Sequence, residues 1–336
     1  MTTATPVPAN EAVLHEALTG LTTAPQKTLP PWLFYDERGS RLFEQITTLP
    51  EYYLTRTERA LFAAHADDIL STTTSDNITI AELGAGTATK TGILLRAALR
   101  RQPKLLYQPI DVSSSALAAE SLTLPGLTIH PQVANYITER YTLQRPDSPK
   151  LEGHSEQGSR PRILALYIGS SIGNFSPTEA HTILHNLRQH LQPGDALLLG
   201  ADLAPGPQKP IATILSAYDD AAGVTAAFNL NILTRLNREL DADFNLAAFA
   251  HRARWNAAES RIEMHLESLR PQTVTIPTND EIHHIAFEQG ETIHTENSYK
   301  FTPEALTTLL TNSNFTPTRT FHDPTQTFAL TLAHTL

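Results

Sequence analysis

The chain has 336 residues, enough for two domains with a well-buried core. Hydrophobic residues make up 40% and charged residues 18%, the balance of a soluble globular protein and not of a disordered one. A net charge of −10 with no basic cluster disfavours nucleic acid and membrane surfaces, both of which need concentrated Lys and Arg. The lack of cysteine removes disulfides, thiolate metal sites and cysteine nucleophiles. No apolar run reaches the length that spans a bilayer. The opening MTTATPVPANEAVLHEAL lacks the basic start and apolar core of a secretory signal. The cytoplasm is the expected location.

In chain order, the first block carries an early helix (EAVLHEAL), a turn at Pro30–Pro31 and an aromatic-rich stretch. The second alternates strand and helix patterns, with strands expected at 77–84, 104–111, 127–133, 162–169 and 195–202 and helices such as TKTGILLRAALRR between them. Apolar strands alternating with helices imply a parallel sheet covered on both faces. The polar, Pro- and Gly-rich segment LQRPDSPKLEGHSEQGSRPR, 143–162, reads as an exposed loop. After APGPQKP, a candidate hinge, a single long helical run is expected over 214–240, followed by β-type segments. The last block reads as a helix and two strands joined around HDPTQ. An open α/β sheet closed by such a hairpin is characteristic of class I methyltransferases that use S-adenosylmethionine. The expected architecture is therefore a Rossmann-like α/β domain over 60–204 and 301–336, with 1–59 and 205–300 forming a second, substrate-binding lobe.

The stretch AELGAGTATKT, 81–91, follows the first strand of that sheet and opens a helix. Glycines there let a ligand approach the backbone, and the helix N-terminus offers unpaired N–H groups. A dinucleotide fingerprint needs glycine where Thr89 stands, and a phosphate loop needs glycine at the same place, just before Lys90. The shorter Gly-x-Gly turn of Gly84 and Gly86 fits the first motif of a class I methyltransferase, and a dehydrogenase stays open as the alternative at this point. Asp111 ends the second strand, where a carboxylate can accept from both hydroxyls of a ribose. Its alternative role is to cap a helix starting at Ser113–Ser115.

Near the C-terminus, IHTENSYKFTPE places Glu296 and Ser298 two apart in a strand-like segment. Side chains at that spacing share a face. The pair suits a small ring with two polar edges, or it is the wet face of an ordinary strand. Six of the chain's 23 aromatic residues, Trp32, Phe34, Tyr35, Phe43, Tyr52 and Tyr53, fall within 31–53. Aromatic walls there suit either a core patch or an amine that becomes a quaternary ammonium. Trp32 and Phe34 are expected in the core, and Tyr35 and Tyr52 in a site.

Long segments carry a more specific signal. LPPWLFYDERGSRLFEQITTLPEYYLTRTE, AELGAGTATKT, YIGSSIGNFSP, AYDDAAGVTAAFNLNILTRLNREL, RWNAAESRIEMHL and TENSYKF occur in that order. Together they closely resemble the histidine Nα-methyltransferase family of ergothioneine biosynthesis, from about residue 15 to the end. The resemblance implies transfer of three methyl groups from S-adenosylmethionine to the α-amino nitrogen of L-histidine, giving the betaine hercynine. It also implies roles. Gly84, Gly86, Lys90 and Asp111 match cofactor-binding positions, and Asn135 and Tyr136 stand where the family usually has an Asp-Phe pair near the adenine. Asn174 and Tyr218 match positions that hold the substrate carboxylate. Tyr52, Glu296 and Ser298 match those that bind the imidazole. Tyr35 and Phe43 match aromatic residues around the amine, and Met264 lies beside the ring.

The implied chemistry is in-line displacement of a sulfonium methyl by a neutral amine, so the protein aligns the reacting atoms and keeps water out. Tyr35 is the candidate for positioning the amine. No metal is required, and His181 and His185, four apart on a helix, read as surface residues. The expected partner is the small-molecule substrate alone, without nucleic acid or membrane, and the expected assembly is a monomer. Two alternatives stand beside this reading: an Nα-methyltransferase of another amino acid such as tryptophan, and a cofactor-binding protein without catalysis.

Overall fold

The computed structural model describes residues 9–72, 77–86, 90–112, 123–136, 141–145, 161–279 and 281–335. Thr89, the expected cap at Ser113–Ser115 and most of the expected loop at 143–162 lie outside these residues. From the N-terminus come α1 (Ala9–Leu21), β1 (Lys27–Thr28), a 3-10 turn at Pro31–Phe34, α2 (Glu37–Ile46) and α3 (Tyr53–Ser71). Next are β2 (Ile78–Leu83), α4 (Thr91–Arg101), β3 (Leu105–Asp111), β4 (Leu127–Ile129), β5 (Gln132–Val133), β6 (Arg162–Tyr167), α5 (Pro177–His190) and β7 (Ala196–Asp202). Then follow α6 (Ile211–Tyr218), α7 (Val224–Leu240), β8 (Phe249–Asn256), β9 (Arg261–Ser268), β10 (Gln272–Pro277), β11 (Ile282–Phe287) and β12 (Thr292–Tyr299). The chain closes with α8 (Pro303–Asn312), β13 (Thr316–His322) and β14 (Phe328–His334).

Backbone packing divides the chain into two compact units, Met1–Tyr52 with Ile211–Ser298, and Tyr53–Pro210 with Tyr299–Leu336. The second unit is built on one sheet in the order β13-β14-β7-β6-β2-β3-β4, with β5 also pairing β3. Strands β2, β3, β4, β6 and β7 run parallel, and β14 and β13 are antiparallel. Every residue of β2 and β7 is buried, as expected where helices cover both faces of a sheet. Chain order reverses at β2, between β3 and β6. In open α/β sheets, ligands bind beyond the carboxyl ends of the strands at such a switch point. Helix α3 packs on α4 and β14, so its apolar face, including Leu61, Phe62, Ile69 and Leu70, belongs to this unit.

The first unit carries a sheet in the order β1-β12-β9-β8 and the separate hairpin β10–β11. Helix α7 packs on β8 and β9. The single helical run expected over 214–240 is two helices. Gly223 adopts φ +73°, and the Asp220 carboxylate accepts from the backbone N–H groups of Val224 (3.0 Å) and Thr225 (2.7 Å). A side chain that satisfies the first N–H groups starts a new helix, whatever the hydrophobic period around it.

Candidate active site

In the second unit, the turn after β2 uses the conformational freedom of glycine: Gly84 has φ +65° and Gly86 φ +51°, a region costly to other residues. The N–H of Gly86 donates to Asp111 Oδ2 at 3.1 Å, which holds the carboxylate ending β3 against the turn. Among the described residues, a Cβ on Gly86 would meet nothing within 4 Å. A Cβ on Gly84 would lie 3.4 Å from the Tyr136 hydroxyl. Burial pushes that phenol up to about 12, so it stays protonated at neutral pH, and its ring packs edge-on to Tyr167 at 5.8 Å. Asn135 stands half-buried beside it. Lys90, just before α4, is paired with the fully buried Glu58 of α3, whose other oxygen accepts from the N–H of Gly169 at 2.8 Å. Asn174 closes a 3-10 turn, Ser171–Asn174, beyond the carboxyl end of β6. These residues therefore gather at the carboxyl ends of β2, β3 and β6.

Beneath the turn, Glu82 is buried on β2 and accepts from Thr91 (2.8 Å) and Tyr107 (2.5 Å). Burial raises its pKa to about 7 against the lowering effect of those hydrogen bonds and of Lys90.

The first unit brings four of the six predicted aromatic residues, Phe34, Tyr35, Phe43 and Tyr52, into one continuous cluster with Phe228 and Tyr218, while Tyr53 falls in the second unit. Asp36 caps α2 by accepting from the Gly39 N–H at 2.7 Å, and it also accepts from Asn231 and Arg238 of α7, each at 2.8 Å. A Cβ on Gly39 would stand 1.6 Å from the Phe34 carbonyl oxygen, so only glycine lets the capping turn close. The ring of Tyr35 lies 5.9 Å from those of Phe43 and Phe228, Phe43 lies 6.4 Å from Tyr52, and Tyr52 lies 6.2 Å from Tyr218. At the end of this series the Tyr218 hydroxyl stands 2.7 Å from that of Ser298. Phe34 is in the core as expected, stacked on Phe228 at 4.4 Å. Trp32 is not: it is 38% exposed, with the Arg235 guanidinium over its ring. An amphipathic ring covered by an arginine needs no core position.

Glu296 and Ser298 both lie on β12, Ser298 buried and Glu296 half-buried. Met264 is buried on the neighbouring β9, and its carbonyl accepts from the Thr295 hydroxyl at 3.0 Å. Sequence reasoning missed the residue that ties these strands together. Asn229 of α7 donates to His251 Nδ1 (2.8 Å) and to the His265 carbonyl (3.1 Å), and accepts from Thr295 (2.8 Å). The Nε2–H of His251 in turn donates to the Tyr218 carbonyl at 2.8 Å. Burial lowers the pKa of His251, consistent with a neutral ring that accepts at one nitrogen and donates at the other. An Asn inside a helix is an unfavourable choice on propensity alone, and that is the one signal it gave.

His181 and His185 stack at 5.8 Å on α5, His181 against the Asn312 carbonyl and His185 against Gln189. The described residues hold another cluster, Glu263, His265 and His294, whose ligand-type atoms lie within 4.8 Å of one another. Its carboxylate already accepts from Arg261 (2.7 Å) and Asn256 (2.8 Å). Burial opposes ionisation of Glu263, yet these bonds hold its pKa at about 2, while burial and His294 push His265 down to about 4.

The sheet order, the Gly84–Gly86 turn and the acid at the end of the adjacent strand define a class I S-adenosylmethionine-dependent methyltransferase. A model of the family described as "Histidine-specific methyltransferase, SAM-dependent" matches residues 13–335. The chain belongs to that family. It is 41% identical to the histidine N-alpha-methyltransferase of Mycolicibacterium smegmatis, across 97% of this chain and 95% of the relative. With the protein of the same name from Mycobacterium tuberculosis it shares 39%, across 96% and 94%. A 4-dimethylallyltryptophan N-methyltransferase of Claviceps purpurea is 26% identical, across 87% and 86%.

Proposed function

We propose that this enzyme transfers methyl groups from S-adenosylmethionine to the α-amino nitrogen of L-histidine, three times in succession, giving hercynine for ergothioneine biosynthesis. The observation that carries the reading is the aromatic series from Tyr35 to Tyr218 that ends on Ser298, on the strand that also bears Glu296. Gly84, Gly86, Lys90, Asp111, Asn135 and Tyr136 would hold the cofactor, with Asp111 accepting from the ribose and the Gly turn at the amino-acid end. When bound, the cofactor supplies an electrophilic methyl on a sulfonium.

The remaining work falls to side chains of this chain. Glu296 accepts from one imidazole N–H and Ser298 serves the other ring nitrogen, with Tyr52 and Met264 against the ring. Tyr218 holds the carboxylate. Tyr35 positions the amine, which must be neutral before each attack. Each transfer leaves a more substituted nitrogen, and the last leaves a fixed cation. Tyr35 and Phe43 attract such a cation through their ring faces, by roughly 0.5–2 kcal/mol per favourable contact. In this reading the Tyr53–Pro210 and Tyr299–Leu336 segments form the cofactor domain, and the Met1–Tyr52 and Ile211–Ser298 segments the substrate domain.

Mass spectrometry of products after incubation with S-adenosylmethionine and an equimolar mixture of amino acids tests the proposal. Conversion of histidine alone to its trimethyl form is expected. Methylation of tryptophan or another amino acid would keep the cofactor and overturn the imidazole assignment.

A further inference from the structure

We propose that Asp202, with Lys209, Lys300 and Tyr53, positions the histidine-binding residues Tyr52 and Ser298 by anchoring the backbone wherever the chain leaves the Tyr53–Pro210 and Tyr299–Leu336 unit. The proposal rests on the reading that Tyr52 and Ser298 contact the substrate.

The chain passes from one unit to the other at three places, Tyr52 to Tyr53, Pro210 to Ile211, and Ser298 to Tyr299. Each crossing sends one side chain to the same carboxylate. The Tyr53 hydroxyl donates to Asp202 at 2.9 Å, Lys209 Nζ donates to it at 2.5 Å, and Lys300 Nζ lies 2.9 Å from its other oxygen. Tyr53 is itself the first residue after its crossing, and Lys209 and Lys300 each stand one residue further from theirs. All four groups are buried: Asp202 is 0% exposed, Lys209 1%, Lys300 3% and Tyr53 6%. Backbone bonds repeat the link, from the Phe301 N–H to the Asp202 carbonyl (3.1 Å) and from the Ala204 N–H to the Phe301 carbonyl (2.8 Å). Lys209 also donates to the carbonyls of Leu203 (2.5 Å) and Thr327 (3.2 Å) and lies over the Tyr53 ring at 5.0 Å.

Nothing in the chemistry assigned to the site uses this cluster. Its stabilising value is also poor, because desolvating two ammonium groups and a carboxylate offsets most of their attraction, and apolar residues of the same volume would hold the fold as well. Apolar packing, however, tolerates sliding by fractions of an ångström, whereas charged hydrogen bonds fix direction as well as distance. A directional anchor is useful here for a specific reason. Tyr52 adjoins Tyr53 in the chain, and Ser298 is two residues from Lys300. A shift of either crossing moves a ring-binding side chain, and misplacement by about 1 Å can cost on the order of 100-fold in rate.

Burial pushes Lys209 down to about 8, with Asp202 and Asp323 opposing the shift and Lys300 adding to it. Lys300→Met keeps the Asp202–Lys209 pair, whereas Asp202→Asn removes the carboxylate that both buried ammonium groups share and risks unfolding.

The test compares full-length wild type, Lys300→Met, Tyr53→Phe and Ser298→Ala. The readouts are histidine KM and kcat, S-adenosylmethionine Kd, thermal midpoint and amide hydrogen exchange. The expected result for Lys300→Met is a histidine KM raised at least tenfold with cofactor Kd within twofold of wild type. Exchange should also quicken at all three crossings, and Tyr53→Phe should shift both readouts the same way by less. Unaltered KM and exchange would overturn the proposal. So would a parallel loss of cofactor affinity, thermal midpoint and KM, which is what a merely structural role produces. If Ser298→Ala leaves histidine KM unchanged, the imidazole reading itself fails. Exchange then decides the anchor alone: quickening at all three crossings supports it, and quickening confined to the Lys300 segment refutes it.

Discussion

The hydroxyls of Tyr218 and Ser298, contributed by α6 and β12, stand 2.7 Å apart in a buried setting. One must donate and the other accept, so each fixes the orientation of its partner. Family resemblance alone assigns Tyr218 to the substrate carboxylate and Ser298 to the imidazole. Their contact couples the two roles. Tyr218→Phe is expected to raise histidine KM about tenfold, the order of one buried neutral hydrogen bond. Steady-state kinetics at saturating cofactor would check this, and an unaltered KM would mean that Ser298 is oriented without the phenol.

Glu296 is expected to control which amino acid is accepted. Tryptophan also carries a ring N–H, but on a larger bicyclic ring that needs more room, so a carboxylate set to accept from the small imidazole separates the two substrates through that hydrogen bond. Glu296→Ala should reduce the preference for histidine over tryptophan, in kcat/KM, by at least tenfold. Competition between the two amino acids, read by mass spectrometry, gives the ratio directly; a constant ratio removes Glu296 from recognition.

Tyr35 is expected to act on amine placement and not on ring binding. Its ring is held by Phe43 and Phe228, so Tyr35→Phe keeps the packing and removes only the hydroxyl. At least one methylation step should slow by about tenfold or more while histidine KM stays near wild type. Single-turnover assays starting from histidine and from its mono- and dimethyl forms separate the steps. Equal rates for all three would exclude the hydroxyl from the reaction.

The Glu58–Lys90 pair leads to a prediction about the cofactor. Glu58 is fully buried and bonds both Lys90 and the Gly169 N–H. Glu58→Gln removes the charge that holds Lys90 beside the glycine turn. S-adenosylmethionine Kd is expected to rise about tenfold, near 1.4 kcal/mol. Calorimetric titration measures it, and an unchanged Kd would show that other contacts place Lys90.

Glu82 gives a signed pH dependence. Its pKa is raised in the folded protein to about 7 from 4.5, with burial as the main cause. Its favourable contribution is therefore complete below about pH 4.5 and is lost as pH rises through about 7. Glu82→Gln carries no charge in either state. Relative to wild type, it should gain up to about 3 kcal/mol in unfolding free energy between pH 5 and pH 8. Denaturant titrations at the two pH values read the difference, and a gap that does not change with pH would contradict the assignment.

Much of this was legible in the chain itself, where local chemistry decides the outcome. The expected strands at 77–84, 104–111, 162–169 and 195–202 correspond to β2, β3, β6 and β7, because each is an apolar run bounded by turn residues. The C-terminal helix and hairpin followed from the same reasoning, and the Gly84–Gly86 turn from the need for positive φ after a strand. The break between α6 and α7 was hidden, since periodicity continues across it and the Asp220 cap shows only once its carboxylate is seen on two backbone N–H groups.

What the linear order could not reveal were the partners. Glu58 meets Lys90 across 32 positions, and Tyr53 meets Asp202 across 149. Phe228 and Asn229 are neighbours in the chain, yet one packs on the aromatic series and the other binds the strands beneath Met264 and Thr295. Composition, periodicity and turn residues determined the class of sheet and the cofactor turn, because those depend on interactions within a few residues. Long-range burial decided the rest: a polar group removed from water must find its hydrogen bonds wherever the tertiary fold supplies them.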